Sequence, residues 1–235
     1  MYDYIVVGAG TAGSVVAARL SEDPNVRVLV LEAGGEETNF SQAPLSVTAL
    51  LHSDLVWNYH GVPQKNSAWG MVRNAIPIIT GKAIGGGSSH NGMIWIRGHP
   101  LDYDRWEEMG AKGWSFADVF PYFLKMEDVV SKGVGKFDPG YHGYSGPMKI
   151  SGLSEFTVVG RALWKGIKEL DLPTGDFNGK DFNVFSAMQS NSVNTVRVST
   201  GKAYLAPASK RRNLDIILKA YVRKILTQKG KHSVK

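Results

Sequence analysis

The sequence predicts an α/β fold organised on a parallel sheet, and three observations carry that expectation. A short apolar, β-branched run at Tyr4–Val7 leads into the glycine-rich stretch "GAGTAG". The next residues, "SVVAARLSE", are small and apolar, as suits a helix packed closely on a sheet. After the turn "DPN", a second apolar run, "VRVLVLEAG", ends at Glu32. Strand, helix and strand with glycines at the first turn make the opening unit of a Rossmann-like, doubly wound fold.

Within that unit, Gly8, Gly10 and Gly13 satisfy the spacing G-x-G-x-x-G directly after a strand and at the opening of a helix. Gly8 permits the tight turn, Gly10 lets the backbone approach a pyrophosphate, and Gly13 lets the helix lie near the strand, so that the helix N-terminus faces the anion. Thr11 and Ala12 open the helix beside that anion. Glu32 follows Gly13 by nineteen residues, with Ala33 beside it. A carboxylate there can accept hydrogen bonds from ribose hydroxyls and repels the extra phosphate of NADP. The pattern points to a dinucleotide and leaves NAD and FAD open; the alternative is a glycine turn in a doubly wound sheet that holds no ligand.

Farther along, the residues between Gly35 and Asn74 show weak periodicity, with Trp57, Tyr59 and Trp69 among polar residues, and read as an irregular lobe or lid. The segment "SEFTVVGRALWKGIKELDLP" places Phe156, Val159, Leu163, Ile167 and Leu170 at helical spacing behind a Ser154 cap, with Pro173 beyond the end. It is expected to be an amphipathic helix. Near the end, "NLDIILKAYVRKILTQKGK" reads as two strands, Leu214–Leu218 and Tyr221–Gln228, then a turn around Gly230 and the start of a returning strand at "HSVK". A half-formed edge of that kind is what native proteins avoid, so the reading is of a truncated sequence.

Composition narrows the function classes. The 235 residues, 43% hydrophobic and 20% charged, are those of an ordinary globular chain. No apolar run is long enough to cross a bilayer, and the N-terminus lacks the features of a secretory signal. The absence of cysteine removes disulfides and thiolate metal sites. The net charge of +6 comes partly from "SKRR", "VRK" and "KGKHSVK", and without a binding motif it reads as a solvated basic face and not as a nucleic-acid surface.

The choice between NAD and FAD comes from a second glycine loop. In "GKAIGGGSSHNGMIWIRGHPLDYDRW", the residues Gly81, Lys82, Ile84, Gly85, Gly86, Gly87, Ser88, Asn91, Trp95, Gly98 and Asp104 fall on a pattern that resembles the first signature of the glucose-methanol-choline (GMC) family of FAD-dependent oxidoreductases. The resemblance continues through "ARLSEDPNVRVLVLEAGG", "WSFADVFPYFLKMED", "STGKAYLAPASKRRNL" and "AYVRKIL", and so spans nearly the whole chain. It implies a GMC-type FAD-binding domain in which a glycine-serine loop runs under the flavin. Lys82, Gly85, Gly86, Ser88, His90, Asn91 and Gly92 would serve that loop, and Val222 would meet the adenine. The physical need agrees, since a flat anionic cofactor asks for backbone N–H groups near its phosphates and no bulk beneath its ring.

Some members of the family carry a histidine in the same "S-H-N" context, bonded covalently to the flavin's 8α-methyl carbon, and the resemblance makes His90 a flavin tether; the alternative is a histidine hydrogen-bonded within its loop. The family's catalytic base is a histidine near the C-terminus of a chain roughly twice as long, so no catalytic residue is expected here. His99 in "RGHP" reads as structural. The expected activity of the whole protein is oxidation of a CH–OH group of a small-molecule alcohol, choline, a sugar or similar, with hydride passing to the flavin and electrons to a separate acceptor. The rivals are an NAD-dependent dehydrogenase and a non-catalytic flavin- or nucleotide-binding fragment. In domain terms, residues 1–150 are expected to form the main part of the FAD-binding domain, with the lid at about 36–74. Residues 151–195 would begin the substrate domain, and 196–235 would return to the FAD-binding domain.

Overall fold

A computed structural model of the chain describes residues 1–44, 47–50 and 53–226. In chain order these form β1 (Tyr4–Val7), α1 (Thr11–Leu20), β2 (Val28–Leu31), α2 (Asn39–Gln42), α3 (Val47–Leu50), β3 (Val56–His60) and β4 (Pro77–Gly81). The middle of the chain adds α4 (Pro100–Glu108), α5 (Phe116–Met126), β5 (Glu127–Ser131), β6 (Met148–Gly152), α6 (Val158–Glu169), β7 (Gln189–Ser190), β8 (Ser192–Val193) and β9 (Val196–Arg197). Last come a π turn at Gly201–Leu205, α7 (Ala206–Ala208) and β10 (Leu214–Ile217).

Two compact units result. The first comprises residues 1–91 and 199–235, the second residues 92–198. These divisions, after Asn91 and after Val198, differ from the sequence boundaries at 150 and 195. The reason is strand pairing: β5 runs parallel to β6, with Glu127 opposite Met148, and this pairing carries residues from before position 150 into the second unit.

The first unit contains the expected parallel sheet, in the order β1-β2-β10. Val28 lies opposite Tyr4 on one side and Leu214 on the other. The run "VLVL" of β2 is central, with Val28 and Val30 fully buried, as a strand covered on both faces requires. Helix α1 packs through small residues, Ser14, Ala17 and Ala18, all buried. Gly13 makes that closeness obligatory, because a Cβ there would overlap the carbonyl of Gly8.

Three expectations need correction. The stretch between Gly35 and Asn74 is not wholly irregular: β3 pairs antiparallel with β4, Trp57 opposite Thr80. The expected strand at Tyr221–Gln228 is absent over its described residues, 221–226, which have no regular structure. Lys219 adopts a positive φ of 55° and takes the chain out of the sheet's register, after which Ala220 donates to the Glu32 carbonyl. Residues 227 and 228, the turn at Gly230, and "HSVK" lie outside the described residues. Finally, the amphipathic helix begins at Val158, later than expected, and its cap is Thr157, whose hydroxyl accepts from the Gly160 amide at 3.1 Å, not Ser154. Its apolar stripe is only partly covered: Ile167 is buried, whereas Val159, Leu163 and Leu170 are exposed.

The second unit is built on β5, β6 and β7, around Met148, Ile150 and Phe137. A buried polar layer shares this core: Arg97, Glu127, His142, Asp176, Asn178 and Gln189.

Candidate nucleotide-binding site

At the C-terminal ends of β1 and β2 lies a cleft of about 260 Å³, lined by Gly8, Gly10, Glu32, Ala33, Gly86 and Val222 among others. Larger cavities, of about 480 and 630 Å³, occur elsewhere in this unit, but neither includes Gly8, Gly10 or Gly86. The smaller cleft is the one with convergent chemistry. Gly8 makes the turn at φ 95°. Gly10 is the N-cap residue of α1, and no side chain caps that helix. Its first-turn N–H groups therefore depend on something other than a capping side chain. A Cβ at Gly10 would meet nothing within 4 Å, so the protein's own atoms do not demand glycine there. An uncapped helix N-terminus beside open space suits a diphosphate. Thr11 and Ala12, at the start of that helix, are both exposed.

Glu32 does more than its position at a strand end suggested. Its carboxylate is buried, with one oxygen accepting from the Ala9 amide at 2.7 Å and the other from the Gly34 amide at 2.7 Å. It thus ties the end of β2 to the glycine turn, and it can still accept from a ligand, because each carboxylate oxygen has two lone pairs. This structural duty was missed at the sequence level, where an acid at that spacing signals only ribose.

The second glycine loop sits directly against the first. A Cβ on Gly86, whose φ is 50°, would stand 2.8 Å from the Gly10 Cα, and Gly85 (φ 83°) donates its amide to the Ala9 carbonyl at 2.7 Å. Two hydroxyls hold the loops together. Thr11 Oγ1 donates to the Gly85 carbonyl at 3.2 Å and accepts from the Ser88 amide at 3.2 Å. Ser88 Oγ donates to the same carbonyl at 2.6 Å. Both side chains thus build the loop's shape. Lys82 lies with Nζ 4.6 Å from the centre of the Trp57 ring, a cation–π contact that the sequence did not reveal.

His90 is half-buried at the end of this loop, its Nδ1 3.3 Å from the Gly86 carbonyl. A carbonyl can only accept, so Nδ1 donates in this contact, and in the neutral tautomer the lone pair is then on Nε2. Asn91 is exposed, its amide donating to the Gly87 carbonyl at 2.9 Å. Gly92 belongs to the second unit. Val222 lines the cleft together with Ala220 and Tyr221, and Tyr221 lies 5.8 Å from Trp57, ring centre to ring centre.

The remaining described histidines have structural partners or none of catalytic type. His99 caps α4, its Nδ1 accepting from the Leu101 amide at 3.2 Å, and its ring lies 5.2 Å from that of Phe182, in keeping with a structural role. His60 is exposed in β3, and His52 and His232 lie outside the described residues. In the second unit, His142 is buried between two carboxylates, with Glu127 Oε1 at 3.0 Å from Nδ1 and Asp176 Oδ2 at 2.6 Å from Nε2. Arg97 pairs with Glu127 on the other side. No cluster of potential metal ligands and no helix long and apolar enough to span a membrane occurs among the described residues.

A parallel sheet whose first turn presents glycines, an uncapped helix N-terminus and a buried acid to one cleft defines a dinucleotide-binding α/β domain. Residues 2–234 match the GMC oxidoreductase family in its N-terminal region, and the chain belongs to that family, whose members bind FAD. Among curated relatives it is 36% identical over 233 residues to glucose dehydrogenase [FAD, quinone] of Drosophila pseudoobscura, covering 99% of this chain and 37% of that one. It is 37% identical to an oxygen-dependent choline dehydrogenase of Vibrio vulnificus, covering 97% and 40%. Among solved structures, pyridoxine 4-oxidase of Mesorbium loti superposes with a TM-score of 0.86 at 31% identity, covering 97% of this chain and 44% of that one. The chain thus spans about two-fifths of the length of these relatives.

Proposed function

We propose that this chain supplies the cofactor-holding part of an enzyme that oxidises a CH–OH group of a small alcohol, of choline or sugar type, and passes the electrons to a separate acceptor. The observation that carries the reading is the contact of two glycine loops, Gly10 against Gly86, beside the uncapped start of α1 and the buried Glu32. An NAD enzyme needs the first loop and gives no reason for the second. FAD, when bound, supplies the acceptor for the hydride.

The chain's own residues have distinct duties in this reading. The N-terminal amides of α1, from Thr11 and Ala12 onward, hold the diphosphate, and Gly10 leaves room for it. Glu32 accepts from the ribose hydroxyls while it anchors the glycine turn, with Ala33 beside it. Val222 packs against the adenine. Gly85, Gly86 and Ser88 shape the loop, Lys82 flanks it, and His90, with its lone pair on Nε2, is the tether; Asn91 and Gly92 follow it in sequence. None of these residues takes the substrate proton. That base belongs to the part of the relatives' length that this chain does not span.

The test is spectroscopic. The full-length protein, purified without added cofactor, is expected to be yellow with flavin absorption and to reduce an artificial electron acceptor when given choline or glucose. A colourless protein that binds NAD instead would remove the flavin reading.

A further inference from the structure

A third segment, remote in sequence from both glycine loops, closes on the back of the second one. The turn Ser199-Thr200-Gly201 meets it at three points. First, the Thr200 amide donates to Ser88 Oγ at 3.0 Å. Second, Thr200 Oγ1 lies 3.1 Å from Ser88 Oγ. A serine hydroxyl has one proton, and that of Ser88 is directed at the Gly85 carbonyl at 2.6 Å. The proton between Ser88 and Thr200 is therefore Thr200's, and Ser88 Oγ accepts from both the amide and the hydroxyl of Thr200. Third, Gly201 lies so close to the loop that a Cβ on it would stand 2.8 Å from Glu37 Oε1 and 3.1 Å from the Gly85 amide nitrogen. Glu37 Oε1 in turn accepts from the Ser199 hydroxyl. Ser88 and Thr200 are both buried, so these bonds compete with little water. Thr200 also precedes a π turn, Gly201–Leu205, a rare conformation that marks functional sites more often than chance.

We infer that Thr200 is a positioning residue for the cofactor: by donating to Ser88 Oγ it fixes the hydroxyl that holds the Gly85 carbonyl, and so holds the Gly85–Gly86 backbone against Gly10, beside the proposed diphosphate site. Thr200 lines no part of the cleft and acts only through Ser88. The inference rests on the flavin reading above. Without the Thr200 hydroxyl, the Ser88 side chain loses one of its buried hydrogen bonds and is freer to rotate away from Gly85, so the loop is held less firmly.

The experiment is FAD titration of the full-length protein in a His90→Ala background, which removes any covalent link, followed by quenching of flavin fluorescence. Thr200→Val, isosteric without the hydroxyl, is expected to weaken FAD binding about tenfold or more, the equivalent of one lost buried hydrogen bond. Thr200→Ser, which restores the hydroxyl, is expected to bind within about threefold of the background protein, a rescue that side-chain volume alone does not predict. Equal affinity for Thr200→Val and the background protein overturns the inference, as does a Thr200→Ser protein as weak as Thr200→Val. If Thr200→Val does not fold, Thr200→Ala takes its place beside Thr200→Ser: weakened binding by Thr200→Ala with normal binding by Thr200→Ser upholds the hydroxyl's role, and equal binding by the two overturns it. Absence of FAD binding by the background protein, together with its absence in the protein carrying His90, overturns the flavin reading and the inference with it, an outcome distinct from the variant patterns.

Discussion

At the scale of single residues, Gly10 and Gly13 belong to one turn but are glycine for different reasons. Gly13 faces the Gly8 carbonyl, so its cause lies within the fold; Gly10 faces open space at φ −71°, so the fold does not demand glycine there and the proposed diphosphate does. Gly13→Ala is expected to lower stability by about 1–3 kcal/mol through overpacking. Gly10→Val is expected to purify without FAD and to melt near the temperature of a flavin-free His90→Ala protein. Thermal melts and the ratio of flavin to protein absorbance check both, and a Gly10→Val protein with stoichiometric FAD would refute the site. Glu32 anchors the glycine turn and is proposed to hold the ribose as well. Glu32→Gln turns an NH2 toward either the Ala9 or the Gly34 amide, and is expected to cost about 1–3 kcal/mol of stability as well as FAD affinity. At His90 the outcome is all or none. After acid precipitation of the full-length protein, the yellow colour is expected in the pellet, and a peptide containing His90 should carry the added mass of FAD; flavin released wholly to the supernatant would leave His90 a loop residue.

Elements show how far local signals reach. The β1–α1–β2 unit was legible because its periodicity, its small helix residues and its glycines all specify the same arrangement. Helix α6 was legible as a helix, but its start was not. Both Ser154 and Thr157 are capable caps, and Thr157, at φ −61° and ψ 168°, has the extended backbone from which its hydroxyl reaches the third amide on. Thr157→Ala is therefore expected to destabilise the second unit by about 1 kcal/mol, and Ser154→Ala by nothing measurable in the same urea titration. Strand β3 was missed although Trp57 and Tyr59 alternate with Asn58 and His60, because the run is only five residues long within a polar stretch; pairing with β4 makes it a strand.

Over the whole molecule, the second unit depends on a buried charge network that links Arg97 before α4, Glu127 at the start of β5, and His142 and Asp176 in loops. Burial disfavours a charged His142 ring, but hydrogen bonds to Asp176 and Glu127 outweigh it, and the pKa is raised above its ordinary 6.5. Burial likewise opposes charge on Asp176, yet the His142 ring and the Asp138 and Asn178 amides hold its pKa below the ordinary 3.8. The histidine's contribution to stability is fully present below its unfolded pKa of 6.5 and is lost as pH rises through the raised folded value; the aspartate's is present above 3.8 and is lost as pH falls through the lowered one. The melting temperature of the second unit is thus expected to fall as pH is raised above 6.5, and His142→Gln is expected to abolish that fall while lowering stability throughout. A wild-type melting temperature that rises over the same range would show the ring to be neutral.

The sequence by itself determined the β1–α1–β2 unit, the family and the glycine turn, because each follows from local pattern: glycine spacing, strand hydrophobicity and an acid at a fixed distance. Only the tertiary structure decided what those residues touch. That Gly86 lies on Gly10, that Thr200 holds Ser88, and that His142 stands between Glu127 and Asp176 are contacts across 76, 112, 15 and 34 positions of chain. Hydrogen bonds and close backbone approaches of this kind depend on where the chain returns, and no local periodicity encodes that.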